Sequence, residues 1–208
     1  MKNILCYGDS NTYGFVPGEG GRYPKDVRWP GRLQAMLGPD YDVIEEGCNS
    51  RTTVYFDPKE PWLCGETYLR PCLKSHKPLD TVIIMLGSND LKHYFYTTPQ
   101  KIADGAGRLV DITREYLATQ QDAAARIILV APPLILPGIE SAFDDDEHHA
   151  DAAPASREFA SEYLRVAKEK GCDYLDAAAI CEISPLDCIH MTADAHAALA
   201  KALLNMLK

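Results

Sequence analysis

Residues that together could perform acyl transfer lie far apart in this chain. Ser10 follows an apolar run near the start, and Asn89 stands in the middle. Asp187 precedes His190 near the end. A neutral imidazole can take the proton of a serine hydroxyl, and a carboxylate on its second nitrogen fixes the tautomer. Asn89 and the amides of Ser10 and Ser50 could stabilise an oxyanion. These residue types predict a serine-based acyl-transfer site if folding brings them together.

The Asp-x-x-His spacing recurs, so position has to decide which pair serves as acid and base. Asp187 and His190 follow the last strand-like run, where a loop would carry them over the sheet edge. The other pairs lie in the acidic run FDDDEHHADAAP, for which metal binding is the alternative. Charge runs usually remain solvated, so we expect a solvated loop there and no metal site. The rival pairs are Asp145 with His148 and Asp146 with His149.

Short apolar runs alternate with helical patterns along the chain, which is typical of α/β proteins. The third and fourth runs are continuously apolar and predict central parallel strands that are buried on both faces. The second and fifth mix polar and apolar residues, as edge strands do. A parallel sheet with helices on both faces is the predicted architecture. The strand-like runs are 3–7, 41–46, 81–86, 126–131 and 172–177.

Capping signals mark where the intervening helices begin and end. Thr98 is a predicted N-cap followed by Pro99, and Thr192 is the predicted N-cap of the last helix. Another helix is predicted to run from Pro154 to Gly171, a glycine of the kind that ends helices. The shorter predicted helices are 29–37 and 65–75.

Polar residues follow the carboxyl ends of the predicted strands. Ser10 follows the first strand, the segment 47–51 follows the second, and Asn89 follows the third. His190 stands between the last strand and the last helix. Parallel strands end along one edge of the sheet, and ligands gather outside that edge. We therefore expect these residues to meet there.

Length, charge and cysteine content restrict the class of protein. The 208 residues predict one domain over 1–208. A net charge of -9 opposes binding to nucleic acid or to an anionic membrane. The longest apolar runs are too short to span a bilayer. Seven cysteines without a Cys-x-x-Cys motif indicate reduced thiols, and with no evident signal peptide we expect a cytoplasmic protein.

The Pro-rich segment 132–153 carries large aliphatic residues where a loop would usually be polar. We interpret them as a contact with a second copy of the chain, so a homo-oligomer is expected. The aliphatic residues are Leu134, Ile135, Leu136 and Ile139.

Four blocks, in order along nearly the whole chain, resemble the SGNH (GDSL) hydrolase superfamily. They are GDS at 8–10, the glycine-containing block at 47–51, GSND at 87–90 and DCIH at 187–190. The stretches DVRWPGRL, VIEEG with RTT, and LDTVIIMLGSNDLK resemble its bacterial arylesterase/acyltransferase branch. The resemblance implies a flavodoxin-like three-layer α/β/α sandwich with a five-stranded parallel sheet. It implies no metal or organic cofactor.

The resemblance also implies roles for single residues. Ser10 would be the nucleophile, His190 the base and Asp187 its orienting acid. The oxyanion hole would combine the Ser10 amide, the Asn89 side chain and an amide of the second block. Many family members have glycine where Ser50 aligns. The second-block donor is either Ser50 or Gly47.

The resemblance predicts a serine esterase that acts on small-molecule carboxylic esters with short acyl groups, by hydrolysis or by transfer. A carbohydrate O-deacetylase or a thioesterase/lysophospholipase would use the same residues. A non-catalytic flavodoxin-like binding module is the alternative of another class, and it predicts that a member of the Ser-His-Asp set is missing. The expected substrate-pocket residues are Asn11, Phe15 and Ile189.

Overall fold

The computed structural model describes residues 1–142 and 147–208, and its centre is a parallel β-sheet. Five strands pair in the order β2-β1-β3-β4-β5, and every pairing is parallel. This order is that of flavodoxin-like sheets. The predicted fold class is thereby confirmed. The strands are β1 (Lys2–Gly8), β2 (Tyr41–Gly47), β3 (Thr81–Met85), β4 (Arg126–Ala131) and β5 (Asp173–Asp176).

Helices cover both faces of the sheet and give three layers. Side chains alternate along the strands, so Leu5 and Tyr7 join one core, whereas Ile4 and Cys6 join the other. The helices α2 and α7 cover the second core, and α3, α4 and α6 cover the first. The helices are α1 (Ser10–Tyr13), α2 (Trp29–Leu37), α3 (Gly65–His76), α4 (Pro99–Ala118), α5 (Ala152–Ser156), α6 (Phe159–Lys170) and α7 (Ala193–Leu207).

The strand positions agree with the hydrophobic pattern. Every residue of β3 is buried, and β4 is buried after Arg126. Both are central strands, so their continuous apolar runs have a core to fill on each face. The mixed runs of β2 and β5 form the two edges of the sheet.

The predicted caps are found, and one predicted helix is wrong. The Thr98 hydroxyl accepts the Lys101 amide, and α6 ends at Gly171, whose φ is 58°. The single helix expected from Pro154 to Gly171 is instead two helices, α5 and α6. Between them the amides bond three residues back, as in a 3₁₀ turn. The Ser156 hydroxyl donates to the Ala153 carbonyl at 2.8 Å and so competes with backbone N–H groups for this acceptor.

Three of the four aliphatic residues of segment 132–153 pack within this chain. Ile135 and Ile139 are each 2% exposed and belong to the first core, and Leu136 packs against both cores. The Ile135 amide donates to the Ser156 hydroxyl at 3.0 Å, which ties the segment to α5. The chain's own core thus takes up Ile135 and Ile139, whereas a partner contact through the partly buried Leu134 and Leu136 stays a prediction.

Among the described residues, no helix combines the length and apolar character needed to cross a bilayer.

Candidate active site

Two distant parts of the chain meet where β1 ends. The Ser10 Oγ atom lies 2.9 Å from His190 Nε2, and His190 Nδ1 lies 2.8 Å from Asp187 Oδ2. Ser10 begins α1 directly after β1, whereas Asp187 and His190 lie in the loop before α7. All three residues are buried but reach a surface cavity through Ser10 and His190. The arrangement can pass a proton from a hydroxyl to an imidazole whose other nitrogen faces a carboxylate.

Asp187 is held as an acceptor for several donors. Its Oδ1 accepts the amides of Ile189 at 3.3 Å and His190 at 3.1 Å. Its Oδ2 accepts the Gly18 amide at 3.3 Å in addition to the imidazole. Burial by itself would raise the pKa of Asp187, but the bonds and charge of His190 outweigh burial and lower the pKa. The carboxylate therefore stays ionised at neutral pH.

Asn11 was expected in the substrate pocket, but it braces the site from behind. Its Nδ2 donates to the Ile189 carbonyl at 3.1 Å, and its Oδ1 accepts the Met191 amide at 2.9 Å. The side chain is 1% exposed and does not line the cavity. With both ends of its amide satisfied by the loop that carries His190, Asn11 fixes that loop against α1.

Phe15 and Ile189, the other two expected pocket residues, line the cavity. The Phe15 ring lies 4.3 Å from the His190 ring, centroid to centroid, with 31° between the planes. The cavity has a volume of about 210 Å³ and opens to solvent. Its lining residues are Ser10, Phe15, Asn49, Ser50, Asn89, Glu147, His148, Ile189 and His190.

Of the two second-block residues considered as oxyanion donors, Ser50 lies on the cavity wall. Gly47 instead pairs with Gly8 in the sheet, and a Cβ atom at Gly47 would lie 2.1 Å from the Tyr13 amide nitrogen. Glycine at 47 thus permits close packing of β2 on α1. Ser50 has a φ of 62°, in the left-handed region that glycine enters without a steric penalty.

Asn89 also lies on the cavity wall. Its Nδ2 donates one hydrogen bond to the Arg51 carbonyl at 3.1 Å, which orients the amide. The second N–H of the amide is left for another acceptor. Asn89 sits in a 3₁₀ turn, Ser88–Leu91, preceded by Gly87 with a φ of 139°. A Cβ atom at Gly87 would come within 2.2 Å of the Tyr163 hydroxyl, so the tight turn requires glycine.

Arg51 is a positioning residue, a role that its place in the segment 47–51 did not indicate. Its guanidinium is buried and donates to the carbonyls of Gly8, at 2.9 Å, and Glu46. The same group lies 4.4 Å from the centre of the Tyr7 ring. Arg51 thus ties the ends of β1 and β2 together with its side chain, while its backbone carbonyl orients Asn89.

Two buried aspartates next to the site act as braces. Asp9 accepts the Asn11 amide at 2.9 Å, and Asp90 accepts the Thr53 amide at 3.0 Å and the Thr53 hydroxyl. Burial raises the pKa of Asp9 to about 6, although hydrogen bonding to Asn11 opposes the rise. Burial raises the pKa of Asp90 to about 7 against the bonds from Thr53.

Two cavity residues were missed by sequence reasoning, Glu147 and His148, whereas Asn49 belongs to the segment 47–51 that we expected at this edge. Both missed residues belong to the acidic run that we expected to be a solvated loop. That expectation is wrong for this end of the run, because His148 is 6% exposed and both residues face the cavity. Asp145 and Asp146, the acids of the rival Asp-x-x-His pairs, lie outside the described residues.

A buried ion cluster explains why Glu147 and His148 lie against the site. Lys92 Nζ is 2.7 Å from Glu147 Oε2 and 3.1 Å from Asp57 Oδ2. The Tyr94 hydroxyl donates to Asp57, and Lys59 donates to Glu147, each at 2.8 Å. Burial would raise the pKa of Asp57 and of Glu147, but these donors outweigh burial and lower both pKa values. The Asp57–Lys92–Glu147 cluster thus holds three loops together.

The thiol at Cys188 points away from the reaction centre, although it lies between Asp187 and His190 in sequence. Its Sγ is 3.6 Å from the Pro137 carbonyl, and it does not line the cavity. Burial and the charge of Asp187 raise the pKa of the thiol. A thiolate nucleophile at this position is therefore disfavoured.

The chain is similar to one protein-family model and to several solved structures. A model of the GDSL-like lipase/acylhydrolase family matches residues 6–198. Est24, a carbohydrate acetylesterase from Sinorhizobium meliloti, is 35% identical with a TM-score of 0.93, over 100% of this chain and 98% of that one. The native aryl esterase of M. smegmatis is 37% identical with a TM-score of 0.88, over 100% and 98% of the two chains. A search of curated proteins gave no match.

These likenesses extend over the whole chain, and the matched region contains all four sequence blocks. The chain therefore belongs to the GDSL-like lipase/acylhydrolase family of SGNH hydrolases.

Proposed function

We propose that the protein is a serine esterase that removes short acyl groups from small carboxylic esters, with Ser10, His190 and Asp187 as its catalytic triad. The observation that carries the proposal is the continuous series of contacts from Ser10 Oγ through His190 to Asp187, at 2.9 Å and 2.8 Å. Membership of an ester-hydrolysing family supports the reaction type.

The reaction has two halves. In the first, Ser10 Oγ attacks the ester carbonyl carbon while His190 Nε2 takes the hydroxyl proton. The oxyanion accepts hydrogen bonds from the amides of Ser10 and Ser50 and from Asn89 Nδ2. Collapse of the tetrahedral intermediate breaks the bond to the alkoxy oxygen, which leaves with the proton from His190. An acyl-enzyme remains on Ser10.

In the second half, His190 takes a proton from water, and the water oxygen attacks the acyl carbon. The second tetrahedral intermediate uses the same oxyanion donors. Its collapse breaks the bond to Ser10 Oγ, which recovers its proton from His190. An alcohol in place of water would complete an acyl transfer by the same steps.

The size of the cavity supports short acyl groups. A volume of about 210 Å³ is below the ordinary range for sites that enclose drug-sized ligands. Phe15 and Ile189 supply apolar contact beside His190. Asn49, Glu147 and His148 make the remaining wall polar, which suits a substrate that carries hydroxyl groups.

That polar wall favours a carbohydrate O-acetyl ester as a specific candidate substrate. The S. meliloti relative is described as a carbohydrate acetylesterase and shares the fold over its whole length. Deacetylation of a sugar would use the same triad, with the sugar hydroxyls facing the polar side chains.

The short-acyl preference and the triad can be tested by measuring the hydrolysis of p-nitrophenyl esters of increasing chain length. An acetylated sugar is assayed as a further substrate. We expect kcat/KM to be highest for acetate and to fall steadily with chain length. Ser10→Ala should abolish turnover of every ester. A maximum at long acyl chains would contradict the short-acyl proposal, and turnover that survives Ser10→Ala would contradict the triad.

A further inference from the structure

Three side chains with metal-binding atoms meet at the outer edge of the sheet, between β2 and α3. The His76 Nε2 atom lies 2.8 Å from Glu46 Oε1. The Cys72 sulfur lies within 4.8 Å of a donor atom of each. Cys72 and His76 are four residues apart on α3, so they occupy one helix face. Within residues 1–142 and 147–208, this is the one place where three such ligands come so close.

The proposed esterase reaction makes no use of this group. None of its three residues lines the cavity that contains Ser10. Cys72 is buried, whereas the side chains of Glu46 and His76 are 19% and 29% exposed. The donor atoms are thus ordered by the protein yet open to solvent on one side, which gives an ion a path of entry.

We propose that Glu46, Cys72 and His76 form a binding site for Zn²⁺ or a chemically similar divalent transition metal. Thiolate and imidazole select such ions over Mg²⁺ and Ca²⁺, which prefer oxygen ligands alone. Zinc binds sulfur at about 2.3 Å and nitrogen or oxygen at about 2.0–2.2 Å, so tetrahedral donors lie roughly 3.3–3.6 Å apart. The observed spacings need small adjustments to reach that geometry.

Water would occupy the fourth position, because three protein ligands leave one side open. The Cys72 thiol loses its proton to solvent as the metal–sulfur bond forms. Thiolate and carboxylate then balance the two positive charges of the ion. The positive charge of Arg51 acts on Cys72 and opposes the ion.

Titration of the chelator-treated protein with Co²⁺ tests the site directly. We expect one Co²⁺ per chain, with a near-ultraviolet thiolate-to-cobalt charge-transfer band and the visible absorption of a four-coordinate ion. Zn²⁺ should displace the cobalt and remove both signals. Absence of the charge-transfer band in the wild-type protein would overturn the proposal.

Variants locate the ion. Cys72→Ser should remove the charge-transfer band, and His76→Gln should weaken cobalt binding by at least about 10-fold, since even second-shell losses reach that size. Two variants serve as matched controls: Cys172→Ser removes a half-buried thiol elsewhere, and His190→Ala removes the proposed base. Both should bind cobalt as the wild type does. Circular dichroism without metal checks that each variant is folded. Because Cys72 is a core residue, the partly exposed His76 provides the safer variant.

A charge-transfer band that survives Cys72→Ser, or that is lost in Cys172→Ser, would place the metal elsewhere and overturn the proposal. Loss of cobalt binding in His190→Ala would do the same, by moving the ion to the triad. The site also departs from the sequence-based expectation of no metal, because helix geometry and an adjacent strand bring together residues that are distant in sequence.

Discussion

At the scale of single residues, the candidate site depends on a few orienting contacts. Asp187 receives three N–H groups besides that of the imidazole, and Asn89 is fixed by the Arg51 carbonyl. Such contacts hold reacting groups in place before substrate arrives, so that little reorganisation remains for the transition state. Removing an orienting partner should therefore impair the reaction without unfolding the protein.

Asp187→Asn should lower kcat for p-nitrophenyl acetate by about 10²–10⁴-fold. The neutral amide can hold His190 in the wrong tautomer and no longer stabilises the imidazolium by its charge. KM should change little. The measurement is steady-state kinetics, with circular dichroism to confirm the fold. A variant that keeps more than about a tenth of the wild-type kcat would show that Asp187 does not act through His190.

The Ser50 amide and the Asn89 side chain, two of the proposed oxyanion donors, should respond differently to substitution, because only the first is a backbone group. Ser50→Gly keeps the amide and suits a φ of 62°, so kcat should stay within about 3-fold of the wild type. Asn89→Ala removes the donor and should lower kcat by about 10²–10³-fold. Equal losses in the two variants would argue against a backbone role for residue 50.

At the scale of elements, strand ends and loop contacts decide which side chains reach the cavity. The sequence predicted Ser10, Asn89 and His190 there, because residues after parallel strands share one sheet edge. It placed Asn11 in the substrate pocket and did not predict its bracing role, because its partners Ile189 and Met191 lie far along the chain.

His148 shows a second limit of sequence reasoning. Its place on the cavity wall depends on its neighbour Glu147 and on Lys92 and Asp57. An acidic run ordinarily means a solvated loop. Ion pairs between distant loops leave no periodic pattern in the sequence, so this part of the site could be found only from the structure. The break between α5 and α6 is similar, since it involves the Ser156 contacts with Ala153 and Ile135.

Lys92→Met should destabilise the fold by about 2–4 kcal/mol and raise KM, because it leaves Asp57 and Glu147 without their buried cation. Urea unfolding and ester kinetics measure the two effects. Lys59→Met is the matched control, since Lys59 pairs with Glu147 but its side chain is 53% exposed. Lys59→Met should lower the free energy of unfolding by less than about 1 kcal/mol. Equal effects of the two substitutions would contradict the importance of burial at Lys92.

At the scale of the whole molecule, the 2-1-3-4-5 strand order places β1 beside β3 at the centre of the sheet. Ser10 and Asn89 therefore leave from neighbouring strands, and the last loop brings His190 across to them. The parallel sheet with helices on both faces was predicted from apolar runs that alternate with helical patterns, a signal that extends over long segments of one sequence. The single-domain organisation, the cytoplasmic location and a homo-oligomer stay predictions.

Stability should depend on pH through buried Asp90. Burial raises the pKa of Asp90 from its ordinary value of 3.8 to about 7 in the folded protein, so the protonated form favours folding. This contribution is complete below about pH 4 and is lost as pH rises through about 7. Asp9 and Tyr163 face the same carboxyl, and a charge on either of them would add to the effect.

Asp90→Asn keeps acceptor capacity for Thr53 and removes the buried charge. Between about pH 5 and pH 8, its unfolding free energy should fall less than that of the wild type, by on the order of 1–3 kcal/mol. Urea titrations at several pH values measure the difference. Asp122→Asn, at an exposed carboxylate, is the control and should follow the wild-type curve. A wild-type curve parallel to that of Asp90→Asn would show that Asp90 does not titrate in this range.

The most direct test of the central claim is labelling of the folded protein with a fluorophosphonate, followed by peptide mass spectrometry. Ser10 should carry one phosphonyl group per chain, and His190→Ala should slow the labelling by about 10²-fold or more, because the base that activates the hydroxyl is gone. An adduct on another residue, or an unmodified Ser10 in folded protein, would contradict a nucleophilic serine at the end of β1.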